Sequence, residues 1–268
     1  MRRKGLYKPT IEDIVELSGI EMLHPGGLAL TRRTAEVADL RQDMKVLDVS
    51  SGRGTPAIFY AKEYDCDVTG IDIAEKMVNE ATKNAKKAGL DTKVQFKLGD
   101  SQELPFEDNE FDVVINECAV GIPDDSQKVL DEMVRVAKPG GVIVVHETTW
   151  KKNVPDKEKE ELSERYGTTP LEYDEWIAML RKAGVRKITT ELERWSKPEI
   201  FWQMRINRQV SHPSKIFSRI EKLGIFFKII SKYGLSGLKT ALQNEKVFIN
   251  TALDRKLGYC LYKGIKGS

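Results

Sequence analysis

Twelve residues constrain this chain more than any others: Val46-Leu47-Asp48-Val49-Ser50-Ser51-Gly52-Arg53-Gly54-Thr55-Pro56-Ala57. They read as a short apolar strand that ends in an acid, turns on two glycines and enters a helix. Val46, Leu47 and Val49 form the kind of buried β-run found in parallel sheets. Gly52 and Gly54 permit positive φ and let a ligand approach the backbone closely. Thr55 and Pro56 suit the cap and first turn of a helix, where free N–H groups and the helix dipole favour negative charge. The stretch is a cradle for a nucleotide-type ligand.

The strand–helix alternation continues. Residues 67–72, Asp-Val-Thr-Gly-Ile-Asp, read as a second strand ending in an acid. The spacing from Gly52 brings Asp72 within reach of a ribose hydroxyl. A helix over 74–88 stops at Gly89, and a third strand over 94–98 runs into Gly99-Asp100-Ser101. A fourth strand covers 111–116, a helix over 124–137 is stopped by Lys138-Pro139-Gly140-Gly141, and a fifth strand covers 142–146. Ahead of the first strand, a helix over 10–20 and a second over 30–40 flank the turn His24-Pro25-Gly26-Gly27. That turn suits a plain helix–helix connection and a loop closing over a ligand equally well. After Trp150 the pattern predicts helices over 156–166 and 173–183, a strand within 185–195, a helical stretch over 198–255 and a terminal strand over 257–262. Such alternation specifies a doubly wound α/β sheet with right-handed crossovers. The expected organisation is an N-terminal helical lid (1–40), a ligand-binding core (41–150) and the rest of the sheet (151–268) carrying a helical cap insertion at about 198–256.

At 268 residues, 40% hydrophobic and 31% charged, the chain has ample core for a globular protein. The net charge is only +2, but from Ser196 onward fourteen Lys/Arg face four Asp/Glu. A basic final quarter suits an anionic partner, an anionic substrate or a membrane surface. Cys66, Cys118 and Cys260 show no CxxC spacing, so neither a zinc site nor a disulfide framework is expected, and no other metal ligand set is read. No run approaches the ~18 apolar residues of a membrane span, and no long apolar run follows the basic start. A cytoplasmic protein is expected.

Gly52, Gly54 and Ala57 satisfy the Gly-x-Gly-x-x-Ala pattern of a dinucleotide site. Asp48 argues against that reading, because a carboxylate at the strand end would repel a pyrophosphate. S-adenosylmethionine brings an ammonium and a sulfonium instead, which an acid favours. Five segments then fall into one pattern: 46–54, Gly-Ile-Asp-Ile-Ala at 70–74, Gly-Asp-Ser-Gln-Glu-Leu-Pro-Phe at 99–106, Phe-Asp-Val-Val-Ile at 111–115 and Arg-Val-Ala-Lys-Pro-Gly-Gly at 135–141. Over roughly residues 20–150 the chain resembles the class I S-adenosylmethionine-dependent methyltransferases, and most closely the ubiquinone/menaquinone C-methyltransferase-like small-molecule branch.

The resemblance implies a seven-stranded Rossmann-like sheet with S-adenosylmethionine as donor and S-adenosylhomocysteine as product. It implies that Gly52 and Gly54 admit the donor, Asp48 contacts its methionine end, Asp72 its ribose and Ile73 its adenine. Asp100 would bond the adenine amino group with Ser101 beside it, and the Asn116 carbonyl would meet the methionyl ammonium. Gly27 and Thr31, in the Pro-Gly-Gly…Thr segment, are expected at the donor as well. Ser50 departs from the family's usual glycine.

Transfer from a sulfonium needs a base only when the acceptor carries a proton. Glu117 and His146, at the ends of the fourth and fifth strands, are the candidate catalytic residues, each with a purely structural alternative; His24 and Tyr7 are further candidates. No Asn-Pro-Pro-Tyr run follows the fourth strand and no Pro-Cys nucleophile is present, so a nucleic-acid acceptor is not expected. In the insertion, Ile216, Ile220, Leu223, Phe227 and Ile230 mark one apolar helix face amid Lys215, Arg219, Lys222, Lys228 and Lys232, with Gly224 as a possible kink. That helix, 215–233, suits a cap over the sheet or a basic amphipathic element on a membrane. The expected function is methyl transfer to a small hydrophobic or anionic molecule, a lipid-like acceptor among them. An NAD(P)-dependent oxidoreductase and a non-catalytic, membrane-attached binding protein are the alternatives.

Overall fold

In the computed structural model, which describes residues 8–151 and 153–267, the elements follow the alternation read above. They are α1 (Ile11–Ser18), α2 (Gly27–Ala38), β1 (Lys45–Val49), α3 (Thr55–Tyr64), β2 (Asp67–Asp72), α4 (Glu75–Lys87), β3 (Val94–Leu98), β4 (Phe111–Glu117), α5 (Ser126–Val136) and β5 (Ala137–Trp150). There follow α6 (Asp156–Tyr166), β6 (Leu171–Glu172), α7 (Tyr173–Lys182), β7 (Val185–Glu191), α8 (Arg219–Leu253) and β8 (Leu257–Lys266). Seven strands run in the order β3-β2-β1-β4-β5-β8-β7, and the two-residue β6 pairs with β5. β1 through β5 are parallel, and β8 lies antiparallel between β5 and β7. The expected doubly wound, Rossmann-like methyltransferase sheet is the observed one.

Strand alternation divides the core into two layers. Val46, Val113, Ile115 and Val144 pack with residues of α2, α3, α6 and the segment around Phe201. Leu47, Val49, Val114, Ile143 and Val145 face the opposite way, onto α5 and α7. Asp48, Glu117 and His146 share the phase of Val46, Ile115 and Val144, so all three belong to the α2/α3 face. Parallel register sets Glu117 directly beside His146.

The lid and the cap meet. Lys228 Nζ donates to the Leu17 carbonyl at 3.1 Å, the Tyr233 hydroxyl to Asp13 Oδ1 at 3.1 Å and Asn244 Nδ2 to the Pro9 carbonyl at 2.8 Å, fastening α1 onto α8. Arg33 of α2 grips the Glu191 carboxylate through Nε at 2.9 Å and Nη2 at 2.5 Å.

Three expectations for the insertion change. Residues 198–255 are not one helical stretch: Pro198 and Pro213 open short 3-10 turns at Pro198–Trp202 and Pro213–Lys215, and the long helix begins only at Arg219, capped by Ser218. The break falls at Gly234 (φ 70°, ψ −174°), not at Gly224. The face that packs carries Ile225, Ile229 and Ala241. Of the apolar stripe read from spacing, Ile220, Leu223 and Phe227 are 82%, 57% and 72% exposed.

Candidate active site

The glycine turn joins β1 to α3 through a series of left-handed residues: Ser50 (φ 62°), Gly52 (52°) and Gly54 (75°). A Cβ on Gly54 would lie 2.3 Å from Phe96 Cζ and 2.9 Å from Ala81 Cβ, so this glycine is required by helix–sheet packing. A Cβ on Gly52 would meet only the tip of Leu23. Ser50 keeps the turn conformation despite its side chain. Asp72 braces the loop, Oδ2 accepting the Gly52 N–H and Oδ1 the Ala74 N–H, both at 2.9 Å. Ile73, the next residue, is 71% exposed, and Leu98, the register partner of Asp72, is exposed as well. Two apolar side chains therefore flank the acid at the sheet's edge.

Asp48 is buried, and among the described residues its Oδ2 has no hydrogen-bond partner, nor has the buried Ser51 hydroxyl. Burial, then the nearby Glu117 and Asp72 carboxylates, push the Asp48 carboxyl well above its usual range. A cationic ligand at this point would relieve both. Asn116 is held between the strands, Nδ2 donating to the Val49 carbonyl at 3.1 Å and Oδ1 accepting the Ala119 N–H at 2.9 Å. Asp100 Oδ1 accepts the Gln102 N–H at 2.8 Å, and Ser101 beside it is buried.

Glu117 and His146, the expected catalytic residues, are both buried. His146 is 0% exposed and Glu117 is buried, because the strand phase turns them under α2 and α3. Glu117 Oε2 lies 2.8 Å from His24 Nε2 and accepts the Thr31 hydroxyl at 2.9 Å. Its Oε1 lies 3.1 Å from His146 Nε2 and accepts the Tyr60 hydroxyl. Burial alone would raise the Glu117 carboxyl, but the two imidazoles hold it well below the usual range. Burial lowers His146, whereas at His24 the Glu117 charge outweighs burial and raises the imidazole. A Cβ on Gly27 would lie 2.3 Å from the Gln203 carbonyl oxygen, and the Thr31 hydroxyl lies 2.9 Å from Glu117 Oε2 and 3.2 Å from His24 Nε2. Tyr7 lies outside the described residues.

Beyond β4 an apolar cavity of about 120 Å³ opens between α1, the 20–25 turn and α8, with Leu23, Cys118, Thr148, Phe201 and Met204 among its walls. Glu12 of α1 also lines it. Burial, followed by the neighbouring Glu147 and Asp13 charges, raises the Glu12 carboxyl to about 8. Sequence reading missed Glu12, which looked like one more first-turn acid on a short helix.

Residues 40–194 match a family model described as a methyltransferase domain. The chain belongs to the class I S-adenosylmethionine-dependent methyltransferases. This methyltransferase is 33% identical over 177 residues to a 27-O-demethylrifamycin SV methyltransferase from Amycolatopsis mediterranei (strain S699), covering 63% of this chain and 64% of that protein. Its fold matches the [4+2]-cyclase SpnF (TM-score 0.74, 22% identity, 99% of each chain). It also matches Haemonchus contortus phosphoethanolamine N-methyltransferase 2, solved with phosphomonomethylethanolamine and S-adenosylhomocysteine (TM-score 0.72, 20% identity, 97% of this chain and 58% of that one). S-adenosylmethionine is the methyl donor of the methyltransferase.

Proposed function

We propose that this enzyme methylates a small hydrophobic molecule seated in the cavity between α1, the 20–25 turn and α8. The observation that carries the reading is the cavity's lining: mostly apolar side chains and, among the described residues, Glu12 and Glu245 as its charged members with no Lys, Arg or His. Such a wall disfavours an anionic acceptor and suits an apolar body bearing an amine or hydroxyl. The bound donor supplies a methyl group on a positively charged sulfur. Around it, Asp48 offers its unpaired carboxylate oxygen to the methionyl end, and the Asn116 carbonyl faces the same group. Asp72 takes the ribose, Ile73 covers the adenine, and Asp100 and Ser101 hold its edge. Gly52 and Gly54 keep the loop thin, and Ser50 takes the turn conformation. Glu12 is the group placed to receive a proton from the acceptor; Glu117 and His146 position β4 and β5 from behind, with Gly27 and Thr31 holding the lid against them.

The outer face of α8 adds a partner. Ile220, Leu223 and Phe227 stand exposed on one side, with Arg219, Lys222 and Lys232 around them. A basic helix with an exposed apolar stripe fits the surface of an anionic membrane, where a lipid-like acceptor would be found. Among the described residues no helix is long and apolar enough to cross one.

Calorimetric titration tests the donor site: S-adenosylmethionine and S-adenosylhomocysteine should bind, NADH should not, and Asp72→Ala should weaken binding about 10- to 100-fold for a lost charge-assisted hydrogen bond. NADH heat with silence from the sulfur nucleotides would overturn the residue assignments. Co-sedimentation with phosphatidylglycerol vesicles should fall with salt and with Phe227→Glu; salt-independent or absent binding would remove the membrane.

A further inference from the structure

His24, Glu117 and His146 bring three ligand-type atoms within 4.8 Å of one another, all buried. Behind each imidazole stands a partner for its other nitrogen. His24 Nδ1 lies 2.9 Å from the Pro25 carbonyl, which can only accept, so Nδ1 carries a hydrogen, and Nε2 faces Glu117 Oε2 at 2.8 Å. His146 Nδ1 lies 2.7 Å from the Tyr259 hydroxyl, and its buried Nε2, 3.1 Å from Glu117 Oε1, makes no hydrogen bond among the described residues. With Nδ1–H donating to Tyr259 and His24 Nε2 deprotonated, two nitrogen lone pairs and the Glu117 carboxylate converge on one small volume. Lone pairs and an anion crowded together in a dry interior need a cation between them.

We infer that these residues form a site for one divalent first-row transition ion, zinc or iron(II), bound by His24 Nε2, His146 Nε2 and the Glu117 carboxylate. Two imidazoles and a carboxylate are a ligand set that both ions take. Bonds of about 2.0–2.2 Å set neighbouring ligand atoms roughly 3 Å apart. The separations of 2.8 Å (His24 to Oε2) and 3.1 Å (His146 to Oε1) have that scale, each to a different oxygen of Glu117, and the three ligand atoms of the set lie within 4.8 Å of one another. The surroundings match as well. Ligating histidines donate the other ring N–H to a carbonyl or similar acceptor, and ligating carboxylates are themselves hydrogen-bonded; here Pro25, Tyr259, Thr31 and Tyr60 fill those places. The ion ties the lid turn to the paired ends of β4 and β5, on the sheet face that carries Asp48, which makes the lid's seating dependent on metal.

The inference stands apart from the acceptor reading, because its readout is the metal. Purified protein should carry about one equivalent of zinc or iron by elemental analysis. After chelation, titration with Co2+ should produce visible ligand-field absorption that saturates at one equivalent, and Zn2+ should raise the melting temperature. His146→Gln should abolish the Co2+ signal, and Tyr259→Phe, which keeps the ring and removes only the hydroxyl, should weaken metal affinity about 10- to 100-fold. Substoichiometric metal with no Co2+ spectrum and no thermal shift in the wild-type protein would overturn the proposal and leave a shared proton as the cation.

Discussion

Glu12→Gln isolates one ionisable group in the acceptor cavity. In the fold its carboxyl is raised to about 8, against an ordinary 4.5, by desolvation in the cavity wall and by the nearby Glu147 and Asp13 charges. Between those values the folded chain holds a proton that the unfolded chain has released. Stability therefore falls as pH rises from 4.5 to 8 and levels off above it, with a slope of at most about 1.4 kcal/mol per pH unit for one proton. Over the interval from 4.5 to 8 the ceiling is about 5 kcal/mol, and water entering the cavity reduces it. Glutamine keeps the shape and cannot ionise, so the variant loses this dependence and gains on the wild type from pH 4.5 upward, levelling off above about pH 8. Urea unfolding at pH 5, 6, 7, 8 and 9 measures both curves. Curves that run parallel over the whole range would refute the burial argument and, with it, the case for Glu12 as the group that meets the acceptor's proton.

Ser50→Gly should stabilise the chain by about 0.5–1 kcal/mol, since relief of a left-handed serine, worth about 1–2 kcal/mol, exceeds the added unfolded-state entropy; an unchanged or lower urea midpoint would contradict it. Gly54→Ala should cost about 2–4 kcal/mol, because it combines φ 75° with a clash onto Phe96 and Ala81, and thermal melting reads the loss directly. Arg33→Ala should loosen α2 from β7 by roughly 1–3 kcal/mol through the lost two-pronged contact with Glu191, seen as faster hydrogen exchange in α2.

The parallel strands were readable as short runs bounded by turn residues or acids, and β1 to β4 fall where that pattern puts them; β5 runs over Ala137–Trp150, beyond the 142–146 read from the sequence, because its pairing with β4 and β8 extends it at both ends. The insertion was less readable. Period alone marked the stripe of Ile220, Leu223 and Phe227 as one apolar face, for a cap or for a membrane surface, yet a helix with apolar residues on more than one side is seated by what its neighbours offer, and α1 took Ile225 and Ile229 instead. The break fell at Gly234 rather than Gly224 because both glycines interrupt a helix equally well in sequence, and only the partners of the two halves choose between them.

By itself, the sequence determined the α/β sheet, the glycine turn and the acids at the ends of β1 and β2, since these depend on local periodicity and turn chemistry. Glu117 and His146 were each visible as polar residues closing a strand. That they lie side by side depends on register, and that His24 completes the group depends on how the lid closes over the sheet. Only tertiary structure decides such contacts, because residues far apart in the chain carry no local signal of which face, and which partner, each side chain will meet.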